Sequence, residues 1–582
     1  MIATICIHFT KYSTEKLKEV RRLKIMFCLS IISINIIYSQ AIVLDEKLDD
    51  WSPEMLVNED FGDGTVVDIR NLYLANDDES VFVRFEFDQE ISLQDANDII
   101  IYFDMDNNTN TGTKYLDIGA DFIFNFGSRR GNIYDGQTIS VFHNDVGLVS
   151  SPTVTGTTFE VAFSRNFEIS GVKFNNELKV YISTGSFLGD IIPNENEAEV
   201  YTLKENISPN LGSYNLLNSG NDDFRVLSYN VLRDNIFENN TRNAYQRIIS
   251  NINADIMCFQ EIYDHDEEDL LIHLNNIGAI NTDNESWYAS KDGRDLITVS
   301  KYPIKFHREL DGNSFVVIDK DGQDIVIFNC HLPCCDNNAG REEEIDVMLL
   351  YLRRSLEGTS DYAILSNTPY MILGDMNFVG FSSQVNSLRT GDIKDNNTYG
   401  PDFDMDWDSS PLFDLSPRTT GTSSSYTWYN PGGSFSAGRL DYLLFTDAIL
   451  QSPNSYALNT STLTASQIQE SGFNASDILV ASDHFPIVAD FNILETSTLE
   501  LLTDLNFNIY PNPVLNSISI DTDAKIKSIQ IIDMQGRIVF YTRRIKNNSN
   551  IEINNNIGEG LYNLLIEMQS GFYSKKIVLN RP

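Results

Sequence analysis

Short runs in which apolar and polar residues alternate fill the first third of the chain. Residues 80–87 read Ser-Val-Phe-Val-Arg-Phe-Glu-Phe and residues 98–103 read Asp-Ile-Ile-Ile-Tyr-Phe, with clusters of Asn, Asp and Gly between such runs. A period of two places apolar side chains on one face of a strand, so residues 41–205 are expected to form an all-β sandwich. Residues 206–223 lose the pattern and are rich in Asn, Ser and Gly, the composition of a linker. From 224 to 492, buried-looking strands (225–232, 255–261, 324–332, 370–373, 439–445 and 487–491) alternate with helical stretches at 241–253 and 341–356. That alternation predicts an α/β unit. After a second connector at 493–506, alternating strands without helices return over residues 507–582, a unit smaller than the usual ~100–150 residues. The expected fold class is therefore multidomain, an α/β domain flanked by an N-terminal β-sandwich and a small C-terminal β-sandwich.

The N-terminus changes this picture by adding a segment to be removed. Lys18, Arg21, Arg22 and Lys24 precede an apolar run over residues 25–38, and the small residue Ser39 follows. This order reads as a secretory signal peptide over residues 1–39. The run is shorter than the ~20 residues of a membrane span. Charge narrows the partners: 83 acidic against 42 basic residues give a net charge of −41. Such a surface repels polyanions and argues against a protein that coats nucleic acid without regard to sequence. It leaves open a metal-assisted enzyme that engages one or two phosphates. Of the six cysteines, Cys6 and Cys28 leave with the signal, and Cys258 and Cys330 lie in apolar strands as core residues. Neighbours such as Cys334 and Cys335 rarely bridge one another without strain, and no chemistry is assigned to them.

Polar residues close the apolar strands of the α/β unit: Asn230, Glu261, His331, Asp375, Asn377, Asp441, Asp483 and His484. Any one of them alone reads as a turn or cap residue. Gathered at strand ends, they lie where an α/β fold assembles its site. The segments Ser228-Tyr-Asn-Val-Leu232, Phe259-Gln-Glu261, Asn329-Cys-His-Leu332, Leu373-Gly-Asp-Met-Asn377, Arg439-Leu-Asp-Tyr442 and Ser482-Asp-His-Phe-Pro486, in this order, resemble the endonuclease/exonuclease/phosphatase superfamily. The resemblance spans nearly all of residues 224–492. It implies a four-layered α/β sandwich with two sheets back to back, a site at one rim, and hydrolysis of a phosphate ester with Mg²⁺ or Mn²⁺.

Position by position, the resemblance makes Glu261 the principal metal carboxylate, Asn230 its neighbour at the same ion, and Asp483 a ligand completing that site or a second one. Hard oxygen donors of this kind suit Mg²⁺ or Mn²⁺. Asp375 and Asn377 resemble the pair that orients and deprotonates the attacking water. His484 resembles the histidine on the phosphoryl oxygens, with Asp441 as its carboxylate partner, and His331 the other phosphate-binding histidine. Arg341, at a helix start, is a candidate phosphate clamp as well as an ordinary helix-terminal residue. Trp428 and Tyr429 read either as a surface for stacking a base or sugar or as rim packing. The expected function is an extracellular nuclease or phosphodiesterase, though nucleic acid, sphingomyelin-like lipid, inositol phosphate and simple phosphomonoesters all suit this chemistry; a basic rim at Lys291, Arg294 and Arg341 would favour nucleic acid and exposed aromatic loops lipid. A non-catalytic glycan-binding surface protein is the rival class.

In the N-terminal unit, Asp104, Asp106 and Asn108 alternate after a strand as candidate Ca²⁺ ligands. With Leu48-Asp-Asp-Trp51 and Gly-Ala-Asp121, residues 41–205 faintly resemble family-nine carbohydrate-binding modules, which implies a glycan ligand. At the C-terminus, Asn508-Ile-Tyr-Pro-Asn-Pro513, Ile531-Ile-Asp-Met-Gln-Gly-Arg537 and Gly560-Leu-Tyr562 resemble the sorting domain of type IX secretion cargo. That resemblance implies the type IX machinery as a partner and delivery outside a Gram-negative cell.

Overall fold

The computed structural model describes residues 41–494, except 65, 96, 186–188 and 283–284, and residues 508–580, except 522–525, 533–537, 543–549, 554–556 and 569–570. The expected signal peptide lies outside the described residues. Among the described residues no helix is long and apolar enough to cross a membrane. The described residues divide into two compact units, with the boundary between Asn492 and Ile493.

In the first unit, residues 56–202 form two facing antiparallel sheets. One orders its strands Leu56–Glu59, Ile69–Asn76, Ser80–Ile91, Gly156–Ser164, Val149–Ser151; the other runs Ile191–Ile192, Glu177–Ser183, Ile100–Asp104, Phe122–Asn125, Arg130–Tyr134, Thr138–Val141. Alternation serves two cores at once. Val81, Val83 and Phe85 face the space between the sheets, while Phe82 on the opposite face packs with Ile42, Leu44 and Trp51.

Residues 224–493 build two six-stranded sheets. The first orders Tyr288–Asp292, Leu296–Ser300, Ile256–Gln260, Phe224–Asn230, Ile487–Ile493, Leu450–Ala457; the second orders Ile304–Leu310, Asn313–Lys320, Gln323–His331, Tyr370–Asp375, Asp441–Phe445, Phe413–Asp414. Helices Arg242–Ile252 and Glu267–Asn276 cover the first sheet through Leu227, Tyr229, Met257 and Phe259; helix Asn338–Leu356 covers the second through Phe315, Val326 and Phe328. Between the sheets lie buried polar groups that pair with one another, Gln260 Nε2 donating to Asn329 Oδ1 at 2.8 Å. A buried amide left unpaired would cost about 1–3 kcal/mol, so this bond fixes how the two sheets meet.

The strand pairings explain why one rim collects the polar residues. Phe224–Asn230 runs parallel to Ile256–Gln260, and Gln323–His331 runs parallel to Tyr370–Asp375. Their C-terminal ends therefore share an edge. Asp441–Phe445 and Ile487–Ile493 are antiparallel to these strands, so their starting ends fall on the same edge.

The sandwich is docked on the α/β part rather than hung beside it. Thr153 Oγ1 donates to Phe378 O (2.6 Å) and Arg439 O (3.2 Å), Thr155 N donates to Gly380 O (2.8 Å), and Val154 enters the core under the second sheet. Gly438 permits this approach: a Cβ there would sit 2.5 Å from Thr153 Cγ2. The polar stretch 206–223 is also tied down, since Arg225 Nη1 and Tyr456 Oη donate to Leu216 O at 3.0 and 2.7 Å.

The second unit contains a three-stranded sheet (Asn508–Tyr510, Ser517–Asp521, Asn550–Glu552) and a four-stranded sheet ordered Ile538–Thr542, Ile526–Ile532, Gly560–Met568, Gly571–Leu579. Ile518, Ile529, Leu564 and Ile577 belong to its core.

Candidate active site

Asp375 is the centre of the rim. It pairs in register with His331 on one side and Asp441 on the other. The close packing of its strand depends on Gly374, where φ is +133° and a Cβ would fall 2.0 Å from Cys330 O. Asp375 Oδ2 receives the Asn230 amide at 3.0 Å and the Asn377 amide at 3.1 Å, and Oδ1 accepts the Asn377 backbone N–H at 3.0 Å. Asn230 Nδ2 also reaches Glu261 Oε1 at 3.0 Å. Glu261 and Asn377 both adopt left-handed backbone, φ +66° and +47°. For residues with a side chain this conformation costs of order 1 kcal/mol and is retained where surrounding contacts demand it.

Two imidazoles complete the centre with matching geometry. His331 Nε2 and His484 Nε2 each lie 3.7 Å from Asp375 Oδ2. On the far side of each ring Nδ1 meets a carboxylate, Asp295 Oδ2 at 2.5 Å for His331 and Asp441 Oδ2 at 2.9 Å for His484. A carboxylate on Nδ1 orients the ring and turns Nε2 toward the cleft. Burial pulls both imidazoles down, but the facing carboxylates outweigh it: His331 is raised to about 9 by Asp295, Asp375 and Glu261, and His484 to about 10 by Asp441 and Asp375. Both rings are proton donors at neutral pH on this account.

The donor set suits a hard divalent cation. With both imidazoles acting as proton donors, the ligands on offer are carboxylate oxygens, and those of Glu261 and Asp375 lie within 4.8 Å of one another. Asp483 supports the same conclusion: Oδ2 accepts from Trp428 Nε1 at 3.1 Å, while Oδ1 is buried with no hydrogen-bond partner among the described residues. A buried carboxylate oxygen without a donor is costly unless a cation or water meets it.

These groups line a cavity of about 730 Å³. Six of the eight residues named from the strand ends line it, Glu261, His331, Asp375, Asn377, Asp483 and His484, while Asn230 and Asp441 stand behind them, bonded to Asp375 and His484. Arg341 does not line it, and the phosphate-clamp expectation is corrected. Its side chain is fully buried and donates to Gln384 Oε1, Pro333 O, Cys335 O and Asn338 Oδ1, so it braces the loop carrying Cys334 and Cys335. The basic rim is also reduced, because Lys291 Nζ is spent on Tyr263 O and His265 O. Trp428 lines the cavity, whereas Tyr429 points to the sandwich and donates to Asn144 Oδ1. In the sandwich, Asp104 and Asp106 converge with Asp121; Asn108 contributes its backbone N–H to Asp104 Oδ1 at 3.0 Å. Sequence reasoning missed Asp295. The available signal was its place just before the apolar run Leu296–Ser300, the same strand-edge position that marked the others.

Comparison with known proteins follows the same division. Residues 227–484 match the Endonuclease/Exonuclease/phosphatase family, and residues 508–580 match the Secretion system C-terminal sorting domain. No curated protein matches the chain. Among solved structures, truncated Caenorhabditis elegans TDP2 matches with 16% identity and TM-score 0.31, over 48% of this chain and 100% of its own. An endonuclease/exonuclease/phosphatase family protein from Leptotrichia buccalis matches with 17% identity and TM-score 0.30, over 46% and 100%. The human Nocturnin catalytic domain with bound sulfate matches with 15% identity and TM-score 0.30, over 46% and 93%. This chain thus carries a domain of the endonuclease/exonuclease/phosphatase family, whose members hydrolyse phosphate esters, followed by a secretion-system sorting domain that directs it to the cell surface or beyond.

Proposed function

We propose that this protein is an exported, divalent-cation-dependent phosphoesterase, a phosphodiesterase or nuclease, that acts by in-line attack of water on phosphorus. The observation that carries the reading is the convergence of Glu261, Asp375, Asn377, His331 and His484 on one cavity, with Asn230 and Asp441 bonded directly behind them. Glu261, with Asn230 beside it, and Asp483 would hold the cation, Mg²⁺ or Mn²⁺. When bound, the cation offsets the repulsion between the attacking oxygen and the anionic ester.

The chain's own groups divide the remaining work. Asp375, kept in place by the amides of Asn230 and Asn377, takes the proton of the attacking water. His484 donates Nε2–H to a phosphoryl oxygen, and His331, whose Nδ1 is held by Asp295, binds the phosphate through Nε2–H and passes that proton to the leaving oxygen as the P–O bond breaks. Raised imidazole pKa values favour this donor role and leave the base role to the carboxylate.

The test uses the purified chain with bis-p-nitrophenyl phosphate, single- and double-stranded DNA, RNA, a phosphomonoester and a phospholipid, each with Mg²⁺, Mn²⁺, Ca²⁺ or EDTA. Turnover of a diester that EDTA stops is expected. Glu261→Ala and His484→Ala should each abolish it with the fold intact by circular dichroism. Rates like the wild type in either variant would remove the mechanism.

A further inference from the structure

The cavity that holds these groups is not made by the α/β domain alone. Gln94, Asp95 and Arg129 of the sandwich line it together with Glu261, Asp375 and His484. The seam between the two parts is built. Gln94 Oε1 accepts from Ser436 N (2.9 Å), Gln94 Nε2 donates to Ser150 Oγ (3.0 Å), and Ser150 and Ser436 hydroxyls meet at 2.8 Å. This pins the loop that carries Phe435. Phe435 remains 43% exposed although its chain neighbour is fixed.

Arg129 lies over the Phe435 ring, its guanidinium carbon 4.1 Å from the ring centroid. The arginine is placed deliberately: its backbone is left-handed at φ +55°, and Nη1 donates to Gln94 O at 2.7 Å. Nε is buried and has no hydrogen-bond partner among the described residues. A guanidinium beside an aromatic face, both opening on a site for a phosphate ester, is the pairing that holds a nucleotide: the base stacks and the cation meets the next phosphate. Asp95 Oδ1 lies 3.8 Å from Nη1 and its side chain is 63% exposed, a long, solvent-screened pair that leaves the guanidinium to act against the general repulsion of a polyanion in a chain of net charge −41.

We propose that the β-sandwich is one wall of the substrate cleft and that Arg129 with Phe435 forms a subsite for a nucleotide unit adjacent to the scissile phosphate, presented by a single strand. The assignment rests on the phosphoesterase reading for what happens at the phosphate, but not for what binds beside it. Single strands are selected because a base inside a duplex is already stacked on both faces and offers none to Phe435. The volume of about 730 Å³ agrees, falling within the ~300–1,000 Å³ of pockets that enclose small ligands.

The test measures binding of a fluorescein-labelled short single-stranded oligothymidylate to the full chain by anisotropy, in EDTA so that no turnover competes. Arg129→Gln and Phe435→Ala, each checked for an unchanged melting temperature, should raise Kd about tenfold, the effect of losing ~1.4 kcal/mol of stacking or ionic contact. With Mn²⁺ the loss of kcat/KM on the oligonucleotide should exceed the loss on bis-p-nitrophenyl phosphate at least fivefold. Unchanged Kd in both variants, equal losses on the two substrates, or a duplex bound as tightly as the single strand would overturn the subsite. So would variants that weaken binding to anionic phospholipid vesicles and leave oligonucleotide binding intact. Failure of the wild type to cleave any diester would count against the phosphoesterase reading alone, since the binding measurement decides the wall independently.

Discussion

Replacing Asp441 by Asn isolates what the carboxylate behind His484 contributes. Asp441 is 1% exposed, its backbone N–H is held by Thr427 Oγ1 at 2.9 Å, and its Oδ2 meets His484 Nδ1 at 2.9 Å. The isosteric amide keeps the shape and the backbone contact, so the fold should persist. What disappears is a charge-assisted hydrogen bond, worth about 1.5–3 kcal/mol. At ~1.4 kcal/mol per factor of ten, this amounts to roughly a 10- to 150-fold fall in kcat/KM, more if the imidazole turns over. The fall should lie in kcat, because the imidazolium gains most from its carboxylate when charge accumulates on the phosphoryl oxygens. Steady-state kinetics on a diester in Mn²⁺, with the melting temperature as control, measure it. Activity within twofold of the wild type at unchanged stability would refute the claim that Asp441 holds His484 for catalysis.

Burial pushes the Glu160 carboxyl up to about 8 against the Trp51 indole hydrogen bond, which pulls it down. A folded acid that keeps its proton better than the unfolded one favours folding at low pH, and this contribution is lost as pH rises from about 4.5 through 8. Glu160→Gln should therefore melt progressively higher than the wild type between pH 5 and 9; parallel melting curves would contradict it. Arg225 and Asp490 form a buried ion pair at 2.6 Å, and Arg225→Met leaves Asp490 without its cation, a loss of about 3–5 kcal/mol expected in urea unfolding. A loss below ~1 kcal/mol would show that Asn454, the other donor to Asp490, suffices. Because a cation that binds only the folded state stabilises it, Mn²⁺ should raise the melting temperature of the wild type and not of Glu261→Ala. An equal rise in both would place the cation elsewhere.

Much of the site was legible because strand ends punctuate sequence. Asn230, Glu261, Asp375 and His484 each follow or precede a run of buried apolar residues, and a polar residue in that position stands out against its neighbours. Asp295 carries the same mark but opens a strand after a Gly-Arg turn, where an aspartate has an ordinary role as a turn residue. Its function becomes visible only through the 2.5 Å contact with His331. Arg341 shows the opposite error. A guanidinium close after a candidate phosphate ligand suggests a clamp, yet four acceptors from the chain itself surround it.

Local pattern determined by itself six of the twelve strands of the two α/β sheets, the helices Arg242–Ile252 and Asn338–Leu356, and the identity of the ionisable groups at the strand ends, because period and composition act over a few residues. Tertiary structure alone decided which carboxylate stands behind which imidazole, which arginine is spent inside the fold, and that the sandwich closes one side of the cleft. These are contacts between residues tens to hundreds of positions apart, such as Gln94 with Ser436 and Thr153 with Arg439. They depend on how buried polar groups are satisfied across packed layers, and nothing in the neighbouring sequence of either partner specifies that.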